Sequence, residues 1–171
     1  MDIYVEKANK TLNKLAELIE NKPEKIEYQG DIKAGVDLGT ANLVLTLLDK
    51  ENNPLLAASR SGTVVRDGLV VDYIGALRIV KKMKIELEGI INRKIEYAAT
   101  AVPPGTGNRD IDTFKNVVQG AGLEVTNVVD EPTAAAAVLG IERGVVVDIG
   151  GGTTGISILQ EGEVVYSADE A

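Results

Sequence analysis

The sequence predicts a mixed α/β fold, a mixed β-sheet carrying crossover helices, on three observations. Apolar runs joined by tight turns stand toward both ends of the chain, as antiparallel hairpins require. Between them, strand-like and helix-like segments alternate, as parallel crossovers require. One turn is also written twice. Asp37-Leu38-Gly39-Thr40 and Asp148-Ile149-Gly150-Gly151-Gly152-Thr153-Thr154 each sit between two apolar runs, which hints at an internal duplication.

Residues 2–21 read as a helix, because Val5, Ala8, Leu12, Leu15 and Ile19 recur at helical spacing with Lys and Glu on the other side. That stripe is expected to pack on the body of the protein, and Asn21 and Pro23 stop the helix. Residues 24–31 read as a polar linker. Ala34–Ser59 resembles a three-stranded antiparallel meander that contains the first repeated turn, the Asn52-Asn53-Pro54 turn and a strand over Leu55–Ala58. Thr63–Val65 is a further short strand, and Asp67-Gly68 is a hairpin signal. Tyr73–Ile91 has helical spacing through Ile74, Leu77, Val80, Ile85, Leu87 and Ile90. Ile95–Val102 is a strand closed by Pro103-Pro104-Gly105. Asp110–Ala121 is a helix, with Asn108 in the usual place of an N-cap. Leu123–Val129 is a strand, and Pro132–Leu139 a short helix with proline in its first turn. Val145–Ile149 reads as an apolar strand, the sign of a central sheet position. Gly155–Leu159 and Val164–Ser167, joined at Glu161-Gly162, complete a final meander.

The totals narrow the function. A chain of 171 residues with 44% hydrophobic and 26% charged residues has the material for an ordinary globular core. A net charge of −8 argues against a nucleic-acid partner, which would be bound through Lys and Arg clusters. The absence of cysteine and histidine excludes disulfides, thiolate chemistry and imidazole catalysis. No apolar run has the length of a membrane span, so no membrane partner is expected, and a cytoplasmic location fits.

The repeated turn carries the chemistry. Glycine there admits positive φ and lets an anion approach the backbone N–H groups. A row of such groups with a threonine hydroxyl makes a nest for phosphate. The acid beside each nest would repel phosphate unless a divalent cation lay between them, so the pair points to a Mg²⁺-nucleotide gripped between two hairpins. A lone Asp-x-Gly-Thr is more often only a turn. Three consecutive glycines after a strand, however, cost entropy without packing return and mark close approach by a ligand. Neither turn is a Walker A loop or a Gly-x-Gly-x-x-Gly dinucleotide turn. A third motif, Asp130-Glu131-Pro132-Thr133-Ala134-Ala135-Ala136, has two readings: acids placed favourably at a helix start, or an acid held rigidly to orient a hydrated metal ion or an attacking water.

These motifs, in this order from Ile32 to Ala171, resemble the actin-like ATPase superfamily with its ribonuclease H-like fold, which includes DnaK-type chaperones, the bacterial actin MreB and sugar kinases. The two hairpins match its phosphate turns, Asp130–Ala136 its connecting helix, and Val102-Pro103-Pro104-Gly105 its strand-to-helix loop. Segments 65–73, 99–106 and 166–171 are similar to a chaperone-like branch that accompanies ethanolamine degradation in bacterial microcompartments.

The resemblance implies ATP or ADP as ligand with Mg²⁺ held by Asp37 and Asp148. It implies phosphate binding by Gly39, Thr40, Ala41, Asn42, Gly150, Gly151, Gly152, Thr153 and Thr154, with Glu131 and Asp148 as catalytic residues. It implies a client enzyme of ethanolamine degradation and association with a microcompartment. The domain organisation it implies is an N-terminal helix (1–23), a linker (24–31) and a first lobe (32–171) with 60–94 as a small insert, the second lobe being absent. The cleft lysine of DnaK-type chaperones has no motif match, although Arg66 and Lys81 fall in the right stretch, and no peptide-binding domain is present. Two other functions share this fold. An actin-like filament or scaffold needs an apolar insert, and 60–94 is short and charged. A small-molecule kinase would need an acid at the acceptor hydroxyl, such as Asp110 or Asp112.

Overall fold

The computed structural model describes residues 3–170. Asp2, in the expected first helix, and Ala171, at the expected end of the lobe, lie outside the described residues. The chain begins with helix α1 (Ile3–Glu20). Strands β1 (Lys33–Leu38), β2 (Asn42–Leu48) and β3 (Pro54–Ser61) form the expected meander. A small hairpin, β4 (Val65–Arg66) and β5 (Leu69–Val70), leads into α2 (Tyr73–Ile91). Strand β6 (Tyr97–Val102), helix α3 (Asn108–Gly120), strand β7 (Glu124–Asp130) and helix α4 (Glu131–Leu139) follow. The described chain closes with β8 (Gly144–Ile149), β9 (Thr154–Gln160) and β10 (Glu163–Glu170).

The fold is mixed α/β, as expected, but the strands divide into separate sheets. Five form one mixed sheet in the order β3-β2-β1-β6-β7, three form an antiparallel sheet in the order β10-β9-β8, and β4 pairs only with β5. In the larger sheet the meander is antiparallel, whereas β6 runs parallel to both β1 and β7. Helices α2 and α3 supply those crossovers and lie on one face, α2 against β2 and β3, α3 against β6 and β7.

Period-two alternation then decides where the chemistry points. Leu43, Leu45 and Leu47 of β2 are fully buried, as are Leu56 and Ala58 of β3, while the residues between the leucines of β2 are not. Each such leucine contributes about 1.5–3 kcal/mol. On β1, Val36 and Leu38 belong to this core, so Asp37 between them must face the other side of the sheet. Thr100 of β6 is buried with them, its hydroxyl donating to the Val36 carbonyl at 2.9 Å.

Both long helices present faces different from the expected stripes. In α2 the buried residues are Ala76, Val80, Met83, Leu87 and Ile91, and Ile74 and Ile85 are exposed. This set follows helical spacing as well as the expected one does, and it shares Val80 and Leu87 with it. In α1, Ala8 and Leu18 are buried while Val5 and Leu12 are exposed. As expected, α1 packs on the body, against β3 and α4. Residues 60–94, expected to be a small insert, contribute α2 residues to the main core. The segment 24–31 is strapped down as well: the Ile26 amide donates to the Ile90 carbonyl at 3.0 Å, and Arg93 donates to the Gly30 carbonyl at 2.7 Å.

Helix α3 starts earlier than expected, and its N-cap is Gly107, with Asn108 already inside the helix. The largest departure is β8. Expected to be central, it is an edge strand, with Val145, Val147 and Ile149 exposed at 58%, 53% and 78%. The short hairpin to β9 fixes it at one side of a three-stranded sheet, and no described strand pairs with its free edge. On its inner face Val146 is buried together with Ala136 of α4 and Leu159 of β9, a small second core.

Candidate functional site

The two hairpins are built to one plan. The last ladder pair is Leu38↔Leu43 in the first and Ile149↔Thr154 in the second, so each turn holds four residues. One pair further in, Asp37 faces Val44 and Asp148 faces Gly155. Asp148 alternates with the exposed Val147 and Ile149, which turns it inward, as alternation turns Asp37 away from the main core. The acids of two different sheets therefore converge on the space between them.

The first glycine of each turn is fixed by the turn itself. A Cβ at Gly39 would stand 2.8 Å from the Asn42 carbonyl oxygen, and one at Gly150 would stand 3.2 Å from that of Thr153. The Gly150 amide donates to the Thr153 carbonyl at 2.9 Å, so this N–H is already committed inside the turn. None of Gly39, Gly150, Gly151 or Gly152 has positive φ, contrary to expectation. Here glycine meets a need for space, and left-handed backbone plays no part.

Helix α4 gives its two first acids different surroundings. Asp130 is the N-cap: its carboxylate accepts from the Thr133 amide at 2.8 Å. Asp130 also accepts from the buried Ser157 hydroxyl at 3.4 Å, a bond that ties β9 of the small sheet to β7 of the large one. Glu131, one residue on, lines the cleft. The sheets also touch where Gly155 lies between Pro104 and Pro132.

Between the sheets is a cavity of about 460 Å³, within the range of small-molecule sites. Asp37, Glu131 and Asp148 line it, with the first turn from Gly39 to Asn42 and the second from Gly150 to Thr153. Thr154 is absent from the lining: as the first residue of β9 it is engaged in pairing with Ile149 and Glu170. Gly68, Ala101, Pro103 and Ala134 also line the cavity and were not expected as site residues, although the Asp67-Gly68 turn, the Pro103-Pro104 loop and the Asp130–Ala136 motif were all visible in the sequence. Asp110 lines a separate cavity of about 380 Å³ beside the Pro103–Gly107 loop. Asp112 lies on the surface, 3.6 Å from Lys115. Neither Arg66 nor Lys81 reaches the main cavity, and no Lys or Arg is among its described lining residues.

The electrostatics follow from three carboxylates without a cation among them. Loss of hydration within the cleft and the Asp148 charge push Asp37 up to about 6, from an ordinary 3.8. Burial, followed by the charges of Asp37, Asp148, Asp169 and Asp130, pushes Glu131 up to about 7. Burial also raises Asp169, partly offset by a hydrogen bond from the Thr153 side chain. A divalent cation would relieve this repulsion. Among the described residues no cluster of three carboxylates is close enough to ligate a metal directly. The donor set fits Mg²⁺ all the same, because that ion keeps several waters and takes one or two carboxylates together with phosphate oxygens.

The family model described as Hsp70 protein matches residues 71–168. The ethanolamine utilization protein EutJ of Escherichia coli is 48% identical over 137 residues, covering 80% of this chain and 48% of that protein. This chain thus spans about half the length of that curated relative. The crystal structure of EutJ from Carboxydothermus hydrogenoformans superposes with a TM-score of 0.89 at 46% identity, over 99% of this chain and 61% of that one. The crystal structure of MreB5 of Spiroplasma citri bound to ADP superposes with a TM-score of 0.62 at 24% identity, over 81% of this chain and 51% of that one, a likeness of fold.

Proposed function

The chain belongs to the Hsp70 family within the actin-like ATPase superfamily, and from that premise we propose that its cleft binds a Mg²⁺-nucleotide, ATP or ADP, in the service of ethanolamine utilization. The observation that carries this reading is the pair of like-built turns facing one cavity lined by three acids and no basic residue. Without Lys or Arg, the negative charge of a polyphosphate has to be met by backbone amides, hydroxyls and a cation, and the acids are placed for the cation.

In this reading Asp37 and Asp148 hold hydrated Mg²⁺, which would supply charge neutralisation at the phosphates. The free amides of both turns and the Thr40 hydroxyl cradle the phosphate oxygens. Glu131, at the rigid start of α4 and lining the same cavity as both turns, orients the attacking water. The similarity to EutJ supports a role as a chaperone-like or reactivating factor for ethanolamine-degrading enzymes in a bacterial microcompartment. The kinase reading loses its acids, because neither Asp110 nor Asp112 lines the main cavity. No helix of the described chain is long and apolar enough to cross a membrane.

Calorimetric titration with ATP, in Mg²⁺ and again in excess chelator, tests the reading. Heat that appears only with Mg²⁺ is expected; no heat in either condition, for this chain and for a full-length relative alike, rejects it. Binding is expected to be weaker for this chain than for the full-length relative, since ligand sites normally bury most of a ligand's surface. Equal affinity would remove any need for the additional half.

A further inference from the structure

Helix α1 lies outside the match to the Hsp70 family, which begins at residue 71, and none of the described residues lining the main cavity comes from it. Its packing is nevertheless specific. Ala8 and Leu18 are buried, and so is Ala57 of β3, although Leu56 and Ala58 on either side of it belong to the main core. By alternation Ala57 faces the other side of the large sheet, the side to which Asp37 also points. Packed on β3 and α4, α1 therefore covers the sheet on the face that carries Asp37.

The two ends of α1 are fastened to different parts of the molecule. Lys22, just past the last turn, donates to the Ile19 carbonyl at 3.1 Å and pairs with Glu86 of α2 at 3.4 Å; Glu86 pairs in turn with Arg60 of β3. At the other end the Tyr4 ring fills the space over Gly140, the C-cap of α4. A Cβ there would stand 2.8 Å from the Tyr4 Cδ1 and 3.4 Å from its Cγ. Gly140 also has a φ of 66°, so two independent demands make it glycine. The 18 residues of α1 reach about 27 Å, enough to join the edge strand β3 to the helix that follows the opposite edge strand β7, about 19 Å away across the sheet.

Helix α4 has little of its own to hold it. It is nine residues long, and only Pro132 and Ala136 are buried; a helix this short is marginal alone. Yet Glu131 is its first residue, and its end leads into β8, which carries Asp148 and the second turn. We infer that α1 braces α4 and that Tyr4 is a positioning residue of the site: through Gly140 it holds the helix that carries Glu131 and feeds the second hairpin. The brace stands on the packing alone, whereas the positioning role rests on the nucleotide reading above.

Tyr4 is more than half exposed and stands outside the main core, so Tyr4→Ala leaves that core intact. Amide hydrogen exchange, followed by mass spectrometry, is expected to quicken about tenfold over residues 131–141 and to stay unchanged in α3. Tyr4→Phe, which keeps the ring over Gly140, is expected to restore the protection. Leu12→Ala, at an exposed position of the same helix, is expected to leave α4 as it is. Calorimetric titration with ATP and Mg²⁺ then reads the site. Affinity is expected to fall by about three- to tenfold for Tyr4→Ala and to return with Tyr4→Phe.

Unchanged exchange in α4, a rise shared by α3, or no recovery with Tyr4→Phe overturns the brace. A loosened α4 with unchanged ATP affinity, in a parent chain that binds ATP, overturns the positioning role. If the parent chain binds no ATP, the nucleotide reading and the positioning role fall together, and the exchange result alone upholds or overturns the brace.

Discussion

The first hairpin stands in a five-stranded sheet whose far face carries the main core, while the second stands in a three-stranded sheet whose far face is bare. Turn length and the position of the acid are the same in both. The differences lie in what each hairpin must avoid. Opposite Asp37 is Val44; opposite Asp148 is Gly155, pressed by Pro104 and Pro132. The first turn spends one glycine on its own curvature, whereas the second spends one on its curvature and two on the approach of its neighbour. Chemistry fixes the residues shared by the two hairpins, and the packing between the sheets fixes those that differ.

The largest test asks whether the shared residues are equivalent. Asp148→Ala and Asp37→Ala should each weaken Mg²⁺-dependent ATP binding by about 10–100-fold, the effect that residues holding a metal through its waters command. Calorimetry checks this, with circular dichroism to show an intact fold. If only one substitution matters, the symmetry is one of shape and not of role.

A smaller effect sharpens the packing side. Gly155→Val, which gives the second hairpin the residue of the first, should destabilise the chain by about 1–3 kcal/mol, because proline rings on two elements cannot swing aside as a flexible side chain can. Denaturant titration measures it, and an unchanged midpoint would mean that the sheets separate there freely.

Titration isolates the acids that the two hairpins aim at each other. The folded pKa values of Asp37 and Glu131, about 6 and about 7, lie above their ordinary 3.8 and 4.5. The folded state therefore binds more protons than the unfolded one, and stability falls as pH rises through that interval. Below the ordinary values both states are protonated and the penalty vanishes. Thermal melts from pH 5 to 8 without metal should show a falling melting temperature, which Mg²⁺ with nucleotide should restore at pH 8. Glu131→Gln should stabilise the ligand-free chain at pH 8 by about 1–2 kcal/mol, allowing for screening in an open cleft. A flat profile would show that neither burial nor neighbouring charge raises Asp37 and Glu131 in the folded chain. The smallest effect is Ser157→Ala, at about 0.5–1 kcal/mol by denaturant titration, because the 3.4 Å bond is long and Asp130 keeps the Thr133 amide. A loss of several kcal/mol would make this bond a principal tie between the sheets.

Much of this was legible in the sequence, because turns and acids are local. Asp37, Asp148 and Glu131 could be placed on one cavity since a strand end, a glycine turn and a helix start each announce themselves over a few residues. The division into two sheets could not be read, because Val145, Val147 and Ile149 have the composition of a buried strand and stand on an open edge. Which helical stripe is buried was equally hidden. In α2, Ala76 and Met83 are buried where Ile74 and Ile85 are exposed, and the surface that decides this is made by distant residues of β2 and β3. The need for Gly151 and Gly152 was visible, but its cause was not: it lies in Thr40 and Ala41, more than a hundred positions away.

The bare outer face of the small sheet sets a condition on handling the protein. Val145, Val147 and Ile149, with Ile158 and Tyr166 beside them, offer apolar surface next to an unpaired strand edge, the arrangement that templates aggregation. What keeps copies apart is the charge of −8, and that charge vanishes near pH 4.7. Acidification therefore pulls two ways. It removes the charge penalty of the cleft acids, while it strips away the colloidal repulsion between molecules. The direction of pH change that eases the cleft acids is therefore also the direction in which this chain becomes harder to keep in solution.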